Sequence, residues 1–91
     1  MTSDARAAAI NLTLYGRSGC HLCEDMEEAL LDFQREWGFV LKRLDVDSDP
    51  ALAEAYGRLV PVLKDGELEI CHYFLDPKRL HEHLAHSLNQ L

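Results

Sequence analysis

The stretch Leu12-Thr-Leu-Tyr15-Gly16-Arg17-Ser18-Gly19-Cys20-His21-Leu22-Cys23 constrains this chain more than any other. It reads as a β-strand, a glycine-rich turn, and two cysteines spaced C-x-x-C at the first turn of a helix. The first turn of a helix leaves backbone N–H groups without partners, and the aligned peptide dipoles put partial positive charge there. A thiol in that field loses its proton more readily, and the thiolate is the reactive form. A second thiol three residues on lies on the same helical face and can close a disulfide with the first. The local chemistry is therefore reversible thiol–disulfide exchange.

Within the pair, Cys20 is assigned as the nucleophile because it lies on the N-cap side, where orphan donors point. Cys23, deeper in the helix, is the resolving thiol. Arg17, three residues before Cys20, would favour a thiolate if its guanidinium came close, and otherwise is a solvated loop cation. His21 would act in the same way if protonated, and otherwise is an exposed helix residue. A different chemistry stays open from the residues alone. Cys20, Cys23 and Cys71, with His72 as a fourth donor, offer the soft ligands of a zinc-type site. The strand before the pair and the helix after it favour redox chemistry.

Composition narrows the classes further. With 91 residues the chain suits one domain with one modest core. Nine Lys and Arg against 16 Asp and Glu give a net charge of −7. That balance disfavours nucleic acid or an anionic membrane surface as a partner. The apolar runs are too short to span a membrane. Residues 1–9 carry no apolar core of a secretory signal and read as a short frayed leader to a single domain at 10–91. The cysteine count is three, an odd number. Secreted disulfide scaffolds favour even counts, so a reducing cytoplasm is the expected location.

The rest of the chain continues in the same style. Ile10–Tyr15 alternates as a strand, with Leu12 and Leu14 on one face. A helix over His21–Trp37 carries the stripe Leu22, Met26, Ala29, Leu30, Phe33 and Trp37, and Gly38 stops it. Phe39–Val46 is a second strand with apolar residues on both parities, so its inward face is not assignable. Asp49 and Pro50 are an N-cap and first helical position for a short helix to Tyr56. Val60–Lys64 and Glu67–Tyr73 are strands joined by an Asp65-Gly66 hairpin turn, with Leu68 and Ile70 on one face and Cys71 on the other. Cys71 reads as a small buried hydrophobe or as a third thiol near the pair. Asp76-Pro77 opens a final helix to about Asn89, with Leu80, Leu84, Leu88 and Leu91 as its stripe and His81, His83 and His86 as solvated surface residues.

The resulting order is β-α-β-α-β-β-α, and it resembles a glutaredoxin-like member of the thioredoxin-fold family from Ile10 to about Leu88. The strand-turn-C-x-x-C-helix at Leu12–Cys23, the Val60-Pro61 pair and the β-β-α ending carry that resemblance. It implies an α/β thioredoxin fold: a four-stranded mixed sheet in the order 2-1-3-4, flanked by three helices. Helices one and three would share one face, with helix two on the other. It also implies a cis Val60–Pro61 bond facing the disulfide, with the Val60 backbone pairing with an extended peptide or with glutathione. The expected activity is that of a thiol–disulfide oxidoreductase working in cell redox homeostasis. Arg17, His21, Val60 and Pro61 would contact a disulfide-bearing protein or small-thiol substrate, and an upstream reductant would restore the dithiol. The chain is expected to be a monomer with no bound cofactor. Two departures leave glutathione open as a co-substrate. The pair here is Cys-His-Leu-Cys rather than Cys-Pro-Tyr-Cys. Cys71-His72 stands roughly where glutaredoxins carry a glycine pair.

Overall fold

The computed structural model describes residues 10–90. The expected leader at residues 1–9 and the stripe residue Leu91 lie outside the described residues. The elements are β1 (Asn11–Gly16), α1 (His21–Trp37), β2 (Val40–Asp45), a short 3-10 turn (Val46–Ser48), α2 (Pro50–Tyr56), β3 (Val62–Asp65), β4 (Leu68–His72) and α3 (Pro77–Gln90). This is the β-α-β-α-β-β-α order of a thioredoxin-like fold. The strands form one sheet ordered β2-β1-β3-β4. β1 and β2 run parallel through α1, whereas β3 lies antiparallel to both β1 and β4.

Local chemistry sets the element ends. Gly38 adopts the left-handed conformation (φ 80°) that ends α1, and its N–H donates to the Gln34 carbonyl at 2.7 Å. Asp49 Oδ1 accepts from the Ala51 N–H at 2.9 Å, with Pro50 at the first helical position. Asp76 Oδ1 caps α3 in the same way, through the Arg79 N–H at 3.0 Å. β3 begins at Val62 rather than Val60 because Pro61 has no N–H to give the ladder.

The core lies between the sheet and the pair α1 and α3. Leu12, Leu30, Leu63, Leu80 and Leu84 are fully buried, joined by Met26, Phe39 and Ile70. Burial of each such side chain is worth about 1.5–3 kcal/mol, and together they seat both helices on one face of the sheet. The other face is more polar. There the Tyr15 and Tyr56 rings lie 4.3 Å apart, and Lys64 Nζ donates to Tyr56 Oη at 2.8 Å. α2 is thus tied to the opposite face, and burial pushes the Tyr15 hydroxyl up from its ordinary pKa.

Having helices on both faces explains the mixed pattern of strand two. Leu41 is the register partner of Leu12 and joins the α1–α3 core, while Leu44 partners Tyr15 and turns to the α2 face. A sheet covered on both sides carries no clean alternation.

Two expectations are corrected. Ile70 and Cys71 do not occupy opposite environments, because both belong to the one core cluster, and Leu68 is 52% exposed. The cause is an irregularity in the β3–β4 ladder. Leu63 pairs with Cys71 but Lys64 pairs with Glu69, so Ile70 is an extra residue that breaks the period of two. The second correction concerns one histidine of α3: His83 is largely covered and lies 2.7 Å from Asp65 Oδ2, whereas His81 and His86 are exposed as expected, the His81 ring meeting Trp37 edge-on at 5.4 Å. The hairpin brings Asp65 beside α3, a tertiary placement that helical periodicity does not contain.

Candidate functional site

The site is built where β1 hands the chain to α1. β1 delivers Tyr15 and Gly16, and the turn Arg17–Gly19 reverses into the helix. Gly19 takes φ 73°, a conformation that side chains resist, directly before Cys20. Cys20 is the N-cap of α1 in extended conformation, and its Sγ accepts the Cys23 N–H at 3.1 Å. The sulfur therefore stands at an orphan backbone donor of the first turn, where a charged thiolate is favoured. Cys20 and Cys23 are joined as a disulfide with Cα atoms 5.2 Å apart. Cys23 is only 8% exposed, while Cys20 remains half-buried at the surface. Gly16 explains how Cys23 fits: a Cβ at position 16 would sit 3.3 Å from Cys23 Sγ.

The other expected site residues are distributed as follows. Arg17 is not a free loop cation, and its hydrogen bonds run to Asp47 and Gly57 rather than to the cysteine pair. Its Nη2 and Nε donate to Asp47 at 2.8 and 3.2 Å, and Nη1 donates to the Gly57 carbonyl at 3.2 Å. The guanidinium thus clips the turn to the 3-10 segment and the end of α2, and the hydrogen bonds to Asp47 hold its pKa up. His21 is the exposed first residue of α1.

The Val60–Pro61 peptide is cis. Tyr15 pairs with Val62, so continuing that antiparallel register sets Pro61 across from Gly16, the residue that contacts Cys23. Pro61 is buried, and its carbonyl accepts the Tyr73 N–H at 2.9 Å. Among the described residues the Val60 backbone N–H and C=O have no hydrogen-bond partner.

Cys71 does not join the pair. It is buried in the α1–α3 core, and burial pushes its thiol up from the ordinary cysteine pKa. Among the described residues no three His, Cys, Asp or Glu side chains are grouped so as to hold a metal ion. The ligand set Cys20, Cys23, Cys71 and His72 is thus not assembled. His72 instead pairs with Glu69 at 2.7 Å.

Two hollows flank the first turn of α1. One, of about 410 Å³, is walled by Gly16, Arg17, Cys23, Glu27, Arg43 and Asp45 among others, and its Arg43 is ion-paired with Glu27. The second, of about 240 Å³, runs between Leu22, Asp25, Met26 and Ala29 of α1 and the loop Tyr73–Leu75. Tyr73 holds φ 64°, unusual outside glycine, and Phe74 is 68% exposed. Sequence reading treats Tyr73 as the end of a strand and passes over Phe74. The available signal is two adjacent aromatics immediately before the Asp76-Pro77 helix start.

Among the described residues no helix is long and apolar enough to cross a membrane. Comparison with solved structures gives a TM-score of 0.75 to the solution structure of a protein from Nitrosomonas europaea. The two are 35% identical, over 91% of this chain and 98% of that one. A poplar glutaredoxin, glutaredoxin C1, shares the fold with a TM-score of 0.54 at 20% identity, covering 92% of this chain and 88% of its own. An uncharacterised protein of Mycobacterium bovis is 35% identical over 80 residues, 81% of each chain. The model of the glutaredoxin-like domain (DUF836) matches residues 11–85, which include the Cys20–Cys23 pair and the Val60–Pro61 bond, and the chain belongs to that family.

Proposed function

We propose that the chain is a thiol–disulfide oxidoreductase with Cys20 as nucleophile and Cys23 as resolving thiol. The observation that carries this reading is the asymmetry of the pair. Cys20 Sγ stands at the mouth of the helix on the Cys23 N–H, while Cys23 is held behind it against Gly16. In the reduced protein the Cys20 thiolate attacks a substrate disulfide. One S–S bond breaks, a mixed disulfide forms at Cys20, and the departing thiolate takes up a proton. Cys23 then loses its proton and attacks the Cys20 sulfur. The second substrate thiol leaves, and the Cys20–Cys23 disulfide carries the two electrons' worth of oxidation. An upstream dithiol or low-molecular-weight thiol such as glutathione reverses the sequence in a reducing compartment.

In this scheme the unpaired Val60 backbone receives an extended substrate strand beside Pro61, and His21 borders Cys20 on the exposed side. Arg17 acts through its clip to Asp47 and Gly57, which holds the turn that presents Cys20. The test is a pair of variants assayed for reduction of a small disulfide by the dithiol protein. Cys20→Ser abolishes reduction, and Cys23→Ser accumulates a mixed disulfide at Cys20 visible as an added mass. Equal turnover in wild type and both variants contradicts the assignment.

A further inference from the structure

We infer that the hollow between α1 and the Tyr73–Leu75 loop seats an apolar side chain of a polypeptide substrate, and that the carboxylates along α1 select a basic residue next to it. The preferred substrate is then a disulfide-bonded polypeptide with an apolar and a cationic residue beside its cysteine, rather than the anionic disulfide of glutathione. The inference rests on the thiol–disulfide exchange reading and names the substrate class for that site.

The first support is position. Leu22 lies between the two cysteines and forms one wall of the hollow, and the loop that forms the other wall is tied to the cis-proline segment through Tyr73 N–H and the Pro61 carbonyl. A substrate cystine reacting at Cys20 therefore has its flanking residue beside this hollow. The second is size. About 240 Å³ falls below the ~300–1,000 Å³ of sites that enclose a whole small molecule. It has room for one side chain. The third is surface chemistry. Phe74 and Tyr73 are adjacent exposed aromatics on the rim, so the apolar surface they present is open to a substrate side chain.

The fourth support is charge. Between Arg17 and Arg35 the chain carries no lysine or arginine, but it has Glu24, Asp25, Glu27, Glu28 and Asp32. Glu27 is paired with Arg43 and Asp32 with Arg35, so the border rests on Glu24, Asp25 and Glu28. Asp25 itself lines the hollow, and Glu24 and Glu28 are exposed. Of the nearby cations, Arg17 is held by Asp47, and Arg79 donates to the Glu69 carbonyl. The Arg58 carbonyl accepts the Tyr73 hydroxyl at 2.9 Å, so one cation-bearing residue stands next to the rim, although it does not line the hollow. An acidic border repels an anionic tripeptide and attracts a basic residue. The larger hollow differs in its lining: Arg17 and Arg43 stand among its acidic groups, and no aromatic residue lines it.

The test uses the full chain in its dithiol form, freed of reductant, in single turnover with four disulfides. These are the symmetrical disulfide of a Lys-Cys-Leu peptide, the Glu-Cys-Leu counterpart, glutathione disulfide and hydroxyethyl disulfide. Released thiols are counted after acid quench. The Lys-Cys-Leu disulfide is expected to react roughly tenfold faster than the Glu-Cys-Leu and glutathione disulfides at low salt, with the gap narrowing as salt screens the charges. Phe74→Ala lowers the ratio of the Lys-Cys-Leu rate to the hydroxyethyl disulfide rate severalfold, and Asp25→Asn lowers the ratio of the Lys to the Glu peptide. Both side chains are exposed, so both variants fold. Glutathione disulfide reacting as fast as the Lys-Cys-Leu disulfide, or ratios unmoved by either substitution, overturns the inference while leaving the oxidoreductase reading intact. Failure to reduce any of the four overturns both.

Discussion

Cys20 and Cys71 are the same chemical group in two regions that treat it oppositely. At the first turn of α1 the backbone has donors to spare, and one of them, the Cys23 N–H, points at Cys20 Sγ. In the middle of β4 the backbone is occupied by the ladder with β3, and Cys71 is enclosed by the apolar side chains of the α1–α3 core. One environment favours the charged sulfur, and the other resists it through desolvation. The difference teaches that the unpaired backbone groups and burial around a thiol, and not its mere presence, decide where a charged sulfur is favoured.

The largest expected effect concerns alkylation. With the protein reduced at pH 7, iodoacetamide should modify Cys20 at least roughly tenfold faster than Cys71, given that one unit of pKa difference alone makes a tenfold difference in thiolate fraction. Peptide mapping at timed quenches reads both sites in one experiment, and equal rates would erase the distinction between the two regions.

A smaller effect sharpens the other side of the comparison. Cys71→Ala removes buried volume and should cost about 1–2 kcal/mol in denaturant unfolding while retaining disulfide reduction. It should also change the pH dependence of stability. The folded pKa of Cys71 lies above its unfolded value, so below the ordinary thiol pKa both states keep the proton and nothing is lost. As pH rises beyond that value the unfolded chain ionises first, and stability declines towards the folded pKa. The variant should show a flatter alkaline limb. Parallel limbs in the two proteins would remove Cys71 as the source.

Much of this arrangement was legible in the sequence, because local signals and tertiary structure agree there. The α1 boundaries follow from the cysteine turn and Gly38, and the α2 and α3 starts follow from Asp49-Pro50 and Asp76-Pro77. The candidate site was legible as far as its covalent pattern, C-x-x-C after a strand. The cis state of Val60–Pro61 entered through the family resemblance, since an X-Pro bond alone favours trans. What stayed hidden depends on partners distant along the chain. The commitment of Arg17 to Asp47 and Gly57 joins residues 30 and 40 positions away. The extra residue Ile70 in the β3–β4 ladder, which places Ile70 and Cys71 in one core, is invisible to a period-two reading. The exposed Phe74 is set by a loop whose conformation depends on the Pro61 carbonyl.

The central claim is that Cys20 and Cys23 form a reversible redox couple from which Cys71 is excluded. The most direct measurement is a redox titration: equilibrate the protein across glutathione buffers, trap free thiols by alkylation, and map the bridge by mass spectrometry. The account predicts a single reversible Cys20–Cys23 bridge, with a midpoint of roughly −200 to −270 mV as for glutaredoxins and thioredoxins, and Cys71 alkylated only after unfolding. A bridge that includes Cys71, or no reversible bridge at all, would contradict it.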